Sequence, residues 1–393
     1  MMSIFYEKIV GGSQQESSPK KILCVGLVCL DIVQTCKNFP LEDTDTRCVD
    51  YRWQRGGNAS NNCTVLSRLG SKCEFFGTLG AEHHLKFLKD DMIKYSIDFC
   101  HCPIIEQIGC PISTVILSLQ TGSRTILHHN PNLPELTIQD FEKLNLDNYS
   151  WIHFEGRNIP RVLGMMQFIE NYNKKLKSIK SNNLLAITVS VELEKNNVEL
   201  LDLLAYADVA FISKDFACSR GYSNMTETIK NIARDVKSGA TIICAWGDRG
   251  AMARSPDGTI VQSPAFPPTQ IVDTLGAGDT FTAAVLHYLN HVKLQHCQFK
   301  VNNTDDEKSK TEKANQDNSC SQTSHLSDIN YVNDTTINKK ITLNRNIESS
   351  EYSNTEFIDQ TILQAAIAFA CRIAGNKIGF KGYDHLQFSP INF

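Results

Sequence analysis

Short apolar runs alternate along this chain with longer stretches whose apolar residues recur at helical spacing. "KILCVGLVCLDIV" (Lys21 to Val33) is β-branched and apolar, which predicts a buried strand. "NASNNCTVLSRLG" follows with helical periodicity and a stop at Gly70. The alternation then repeats. "KCEFFGTLG", "WIHFEG", "LLAITVSVEL", "DVAFIS" and "ATIICAWG" read as strands. "LKFLKDDMIKYSI", "VLGMMQFIENYNKKLKSI", the short "VELLDLLAYA" and "TETIKNIARDVKSG" read as helices. Apolar strands alternating with helices predict an α/β fold: a doubly wound, mostly parallel sheet with helices on both faces.

Two regions break the rhythm. One is "RCVDYRWQRGG" (Arg47 to Gly57). The other is "PISTVILSLQTGSRTILHHN", two alternating runs about a Thr-Gly-Ser turn, hence a hairpin. Strands near 31–56 and 110–130 that do not fit a doubly wound sheet predict a second, smaller β-sheet acting as a lid. The segment 298–354 has another character. It is rich in Asn, Ser, Asp, Lys and Thr and poor in apolar residues, so it is expected to be a disordered insertion. "FIDQTILQAAIAFACRIAGNKIG" restores helical periodicity after it. Residues 1–20 are expected to form a flexible tail, and 21–393 a single domain carrying the insertion.

Composition narrows the function. The 393 residues carry a net charge of −4 without long blocks of one sign, so nucleic acid and membrane surfaces are not favoured partners. The 14 cysteines sit mostly in apolar runs and lack metal spacing, which predicts reduced thiols in a cytoplasmic protein and no metal cage. No apolar run is long enough for a membrane span, and the first 20 residues lack a signal core.

The loops hold the chemistry. In "DTLGAGDTF" (Asp273 to Phe281), Gly276 and Gly278 allow a tight turn with unobstructed N–H groups, and the apolar run after Asp279 opens a helix. Free N–H groups and the dipole at such a helix start attract anions. A carboxylate there makes sense if it takes a proton from a hydroxyl attacking a phosphoryl group. Equally, Asp279 alone is consistent with an ordinary first-turn residue. "RGGNASNN" (Arg55 to Asn62) is a second glycine pair opening a helix. Asn58 and Asn61 share one face of its first turn, either binding a polyol or with Asn58 capping the helix and Asn61 solvated. Asp31 falls at the end of the first predicted strand, where parallel sheets place ligand groups, or is a loop acid. "AWGDRG" (Ala245 to Gly250) ends another strand as a phosphate loop or a plain turn. Walker and protein-kinase signatures are absent.

Together these motifs resemble the ribokinase-like (PfkB) family of sugar kinases, and within it the branch acting on fructose. "DTLGAGDTF" is similar to the family's C-terminal signature and "GGNASNN" to its N-terminal one. "ILCVGLVCLDIV", "WIHFEGRN", "VSVELEK" and "ICAW" fall in order between and around them, from about Lys21 to Asp384 apart from the polar insertion. The resemblance implies transfer from ATP to D-fructose, giving fructose 1-phosphate and ADP. It implies Asp279 as the base and Gly276, Ala277 and Gly278 as an anion hole. Asp31, Gly57, Asn58 and Asn61 are implied to bind the sugar. Arg124, the loop Gly247, Asp248, Arg249 and Gly250, and Cys371 and Gly375 at the adenine are implied to serve the nucleotide. It further implies Mg2+ with ATP, stimulation by K+ as in many members, and a homodimer clasped through the lids, with Asp43 reaching the partner's sugar.

Three departures stand beside the likeness. "ISKDFA" (Ile212 to Ala217) lacks an Asn-x-x-Glu motif frequent in the family, Arg249 stands where an acid is common, and the polar insertion is atypical. The alternatives are a relative acting on ribose, adenosine or another ketose, and a catalytically silent sugar-binding protein.

Overall fold

The computed structural model describes residues 20–178, 185–315 (side chains as far as 298) and 354–386. The expected N-terminal tail lies outside them. So does most of the expected insertion, although a helix continues to Asn315.

The strands are β1 (Lys21–Val25), β2 (Cys29–Cys36), β3 (Asp50–Gly56), β4 (Cys73–Phe76), β5 (Leu79–Gly80), β6 (Ile104–Ile105), β7 (Ile112–Ser118), β8 (Arg124–His129), β9 (Tyr149–Glu155), β10 (Thr188–Leu193), β11 (Val209–Ser213), β12 (Thr241–Ala245), β13 (Ala251–Arg254) and β14 (Ile260–Ser263). The helices are α1 (Asn58–Arg68), α2 (Leu85–Lys94), α3 (Ile138–Phe141), α4 (Ile159–Ser178), α5 (Lys214–Ser219), α6 (Met225–Ile232), α7 (Ala277–Asn315) and α8 (Gln360–Ile378). "VELLDLLAYA" forms a 3₁₀ helix, Val198–Ala205.

The main sheet runs β14-β13-β12-β11-β10-β9-β1-β4. It is parallel from β12 to β4, with β13 and β14 antiparallel at one edge. Side chains alternate between its faces, as the strand period requires. Ile22, Cys24, Trp151 and Phe211 pack under α1, α7 and α8, whereas Leu23, Val25, Ile152 and Phe154 pack under α3 to α6. Each such fully buried aliphatic or aromatic side chain contributes about 1.5–3 kcal/mol relative to exposure.

The first apolar run is not one strand. It turns at Gly26, whose N–H donates to Phe76 C=O at 3.1 Å, and a side chain there would meet Glu155 Oε2 at 2.6 Å. Only β1 joins the main sheet; β2 leaves it to pair with β3 and β7. "KCEFFGTLG" likewise divides into β4 and β5, the latter pairing with β6. The second sheet has the order β3-β2-β7-β8 and contains the expected hairpin. Its inner residues Val33 and Val115 pack on Leu275, so it rests against the loop that precedes α7. Arg52 on β3 reinforces this contact by an ion pair with Asp273 at 2.9 Å. None of the thirteen described cysteines is in a disulfide. Among the described residues no helix is long and apolar enough to cross a membrane.

Candidate active site

The loop Asp273 to Gly276 enters α7 through a left-handed turn at Gly276 (φ +74). Asp273 Oδ1 accepts the Leu275 N–H at 3.0 Å, and Oδ2 accepts the Gly382 N–H at 3.2 Å. Ala277 N–H closes on Thr274 C=O at 3.3 Å, so this member of the expected anion hole is already engaged. Gly278 and Asp279 follow in the first helical turn, where N–H groups lack intrahelical acceptors. Asp279 is buried, and its Oδ2 accepts from Asn61 Nδ2 at 2.6 Å. Burial, and then the nearby Glu194 charge, push its carboxyl up to about 7 despite the Asn61 bond.

Asn61 comes from the opposite wall. Gly57 (φ +97) is the N-cap of α1, where a side chain would strike Leu27 C=O at 2.2 Å. Asn58 therefore begins the helix rather than capping it, and Asn61 is buried rather than solvated. Asn61 Oδ1 has no hydrogen-bond partner among the described residues, leaving an acceptor beside the Asp279 carboxylate. Asn58 Nδ2 donates to Glu194 Oε2 at 2.8 Å and Glu192 Oε2 at 3.3 Å. Asp31 is not at the end of the first main-sheet strand. It lies within β2 on the second sheet, buried, with Cys29 Sγ donating to its Oδ1 at 3.4 Å. Burial raises its pKa against the Cys29 and Ser113 bonds and the Arg52 charge. Its carboxylate lies over Gly56, where a methyl group would meet Oδ2 at 2.2 Å.

A set of acids at the ends of β9 and β10 stands near Asn58 and Asp279. Burial and the neighbouring Glu194 charge raise Glu192 well above the carboxylate range. Burial opposes ionisation of Glu194 too, but Lys195 at 2.5 Å and Asn58 outweigh it and hold that carboxyl down. Arg124, first residue of β8, adds to this effect on Glu194, so the second sheet brings a cation to the acids. Glu155 pairs with Arg157 at 3.3 Å. Sequence reasoning did not single out Glu192 and Glu194. The available signal was "VELEK" at the C-terminal end of a buried parallel strand, where alternate acids face one side.

The remaining expected residues stand farther along the sheet. Gly247, Asp248 and Arg249 form a 3₁₀ turn after β12, with both charged residues exposed, and Gly250 (φ +80) abuts Ser263 C=O. Cys371 and Gly375 lie buried on α8. Gly375 permits close approach of the Phe266 backbone, where a methyl group would meet the carbonyl at 1.9 Å. Asp43 sits exposed in the loop between β2 and β3 with φ +56. Away from Asp279, Glu74, Cys100 and His101 bring ligand-type atoms within 4.8 Å of one another. The Glu74 carboxylate there already bonds Lys21, Tyr149 and His101, which accounts for the cluster as a hydrogen-bond network about one buried acid.

Residues 19–307 match the model of the pfkB family of carbohydrate kinases. The chain belongs to this family. It is 46% identical over 271 residues to the ketohexokinase of Mus musculus, covering 69% of this chain and 89% of that protein. A second relative, the aminoimidazole riboside kinase of Salmonella typhimurium, is 24% identical over 241 residues, 60% of this chain and 73% of its own. Among solved structures, ribokinase from Giardia lamblia superposes with a TM-score of 0.66 at 14% identity, covering 92% of this chain and 94% of its own. Arabidopsis thaliana ribokinase complexed with ribose and ATP gives 0.55 at 19% identity, covering 70% and 87%. These two share the ribokinase-like α/β fold. The protein is thus a pfkB carbohydrate kinase, a transferase that uses ATP and a sugar. Of Glu192 and Glu194, the latter is the one held ionised, and its carboxylate, near Asp279, is a hard oxygen donor of the kind that fits Mg2+. The Asp273 and Leu275 carbonyls at the entry to α7 are bonded to the Lys377 ammonium.

Proposed function

We propose that this kinase transfers the γ-phosphoryl group of ATP to the 1-hydroxyl of D-fructose, giving fructose 1-phosphate and ADP. The identity with a ketohexokinase supports the substrate class. The observation that carries the chemistry is Asp279, a buried carboxyl of raised pKa at the start of α7, held by Asn61 beside Gly276 to Gly278. The sugar hydroxyl oxygen attacks the γ-phosphorus, its proton passes to Asp279, and the bond to the bridging oxygen of ADP breaks. N–H groups at the α7 start and the Arg124 guanidinium face the charge on the transferring group. Magnesium bound with the nucleotide would supply further charge neutralisation, with the ionised Glu194 as the donor that would hold it. Asp31, Gly57, Asn58 and Asn61 line the sugar side. The loop Gly247 to Gly250, with Cys371 and Gly375, lines the nucleotide side. The second sheet acts as the lid that excludes water, favouring transfer over hydrolysis.

ADP release measured with fructose, ribose, adenosine and other ketoses tests this, with the phosphorylated carbon assigned by NMR. Fructose is expected to be preferred, with phosphate on carbon 1. Preference for ribose or adenosine overturns the substrate, and sugar binding without ADP production overturns the kinase mechanism.

Two predictions concern the lid. Gly56→Ala is expected to raise the KM for sugar about tenfold or more while the KM for ATP changes little, because the added methyl group displaces Asp31. Initial-rate kinetics with each substrate varied check this, and equal effects on both would count against Asp31 as a sugar ligand. The edge strands β3 and β8 expose Tyr51 and Leu127 on the face of the second sheet turned away from Leu275, apolar positions suited to a second copy. Sedimentation is expected to show a homodimer whose Asp43→Ala variant has a raised sugar KM, whereas a fully active monomer overturns the clasped lid. A cytoplasmic location accords with the absence of disulfides among the described cysteines.

A further inference from the structure

Lys377 stands in the last turn of α8, where a solvated lysine would suit the helix dipole. It is instead fully buried. Its Nζ donates to Asp273 C=O at 3.0 Å and to Leu275 C=O, and lies 3.3 Å from Asp273 Oδ2. An ammonium has three donors and no acceptor, so this set saturates it. A buried charge is costly without such a partner set, and Asp273 provides the opposite charge. Asp273 is in turn held by Arg52 from the second sheet, and Val272 and Asp273 donate their N–H groups to Ile378 C=O at 2.8 and 3.1 Å. The end of α8 is therefore stitched to the loop that enters α7.

We propose that Lys377 is a positioning residue for phosphoryl transfer: its ammonium is a tethered cation that sets the peptide orientation of the anion-hole loop. In a trans peptide the N–H points opposite to the C=O. Drawing Leu275 C=O onto Lys377 aims the Gly276 N–H to the other side of the loop. Asp279 lies within electrostatic reach of the same ammonium. This inference rests on the phosphoryl-transfer reading of the loop and extends it.

The test uses Lys377→Met, which keeps the bulk of the side chain, and Lys377→Ala, which vacates the carbonyl cage. The Met variant is expected to lose about 10²-fold in kcat, with the sugar KM and the calorimetric sugar affinity within threefold of the parent. In the Ala variant, ammonium or potassium chloride is expected to restore kcat by a larger factor than it changes the parent enzyme. A Met variant with kcat within threefold of the parent overturns the proposal. So does a loss that falls on sugar affinity alone, or a response to ammonium no larger than the parent's. Circular dichroism and melting of both variants separate a folding defect from a misplaced loop. Absence of kinase activity in the parent would refute the phosphoryl-transfer reading instead, so the two failures are distinguishable.

Discussion

Asp279→Asn is expected to lower turnover by about 10²–10⁴-fold while sugar affinity, measured by calorimetry, is largely kept. The loss corresponds to roughly 3–5 kcal/mol of barrier. Asn preserves the shape and the acceptor for Asn61 Nδ2, so it removes only the proton-accepting function. Were Asp279 merely a first-turn residue, the substitution would cost only about 0.3–1 kcal/mol of stability and leave turnover near normal. Near-normal turnover would therefore remove the base assignment.

The raised carboxyl gives the same variant two further readouts. The base works only when ionised, and it titrates at about 7 in the free protein. Since kcat/KM reports the free enzyme, its value is expected to rise with pH through about 7 and then level off. Stability moves the other way. Between the ordinary carboxylate pKa of 3.8 and about 7, the folded state holds a proton that the unfolded chain has released. Stability therefore falls as pH rises through that window, and the penalty is complete above it. Asn carries no such penalty, so its gain in Tm over the parent is expected to be larger at high pH than at low pH. A gain that is equal at both ends would mean that burial does not raise this carboxyl.

What the sequence revealed followed local physics. The alternating apolar runs specified the parallel sheet, because burial on both faces leaves a period that needs no tertiary information. "DTLGAGDTF" and "GGNASNN" announced their helix starts, because glycine and a following apolar run are local signals. The split of Lys21 to Val33 was hidden, since β1 and β2 are equally apolar and only the packing of Gly26 against Glu155 ends the first strand. Asp31 consequently falls within β2 of the second sheet, not at the end of the first main-sheet strand. Glu192, Glu194 and Lys377 were missed for a different reason. A charged residue in sequence reads as solvated, and their roles come from partners far along the chain: Asn58 for the two acids and Asp273 for the lysine.

Gly276→Ala is expected to reduce kcat about 10²-fold, and the cause can be separated from the role of its neighbour. At φ +74 a side chain costs about 1–2 kcal/mol in backbone strain alone. The larger obstacle is Tyr383, whose hydroxyl would lie 1.9 Å from the new methyl group. That ring is buried and stacked near Lys377 Nζ at 5.4 Å, so the loop has to shift instead, and a misplacement of about 1 Å can cost 10²-fold in rate. The Tyr383 hydroxyl has no hydrogen-bond partner among the described residues, so Tyr383→Phe by itself is expected to leave kcat close to the parent. In the double variant the nearest ring carbon, at 3.0 Å, replaces the oxygen as the closest contact, and several-fold of the lost rate is expected to return. A double variant no faster than Gly276→Ala would mean that the clash is not the cause. Gly278 provides the contrast. A methyl group there meets nothing within 4 Å, so Gly278→Ala should melt at the parent's temperature. A loss of turnover in that variant would then report the space needed by the transferring phosphoryl group, since the chain itself has room for the methyl.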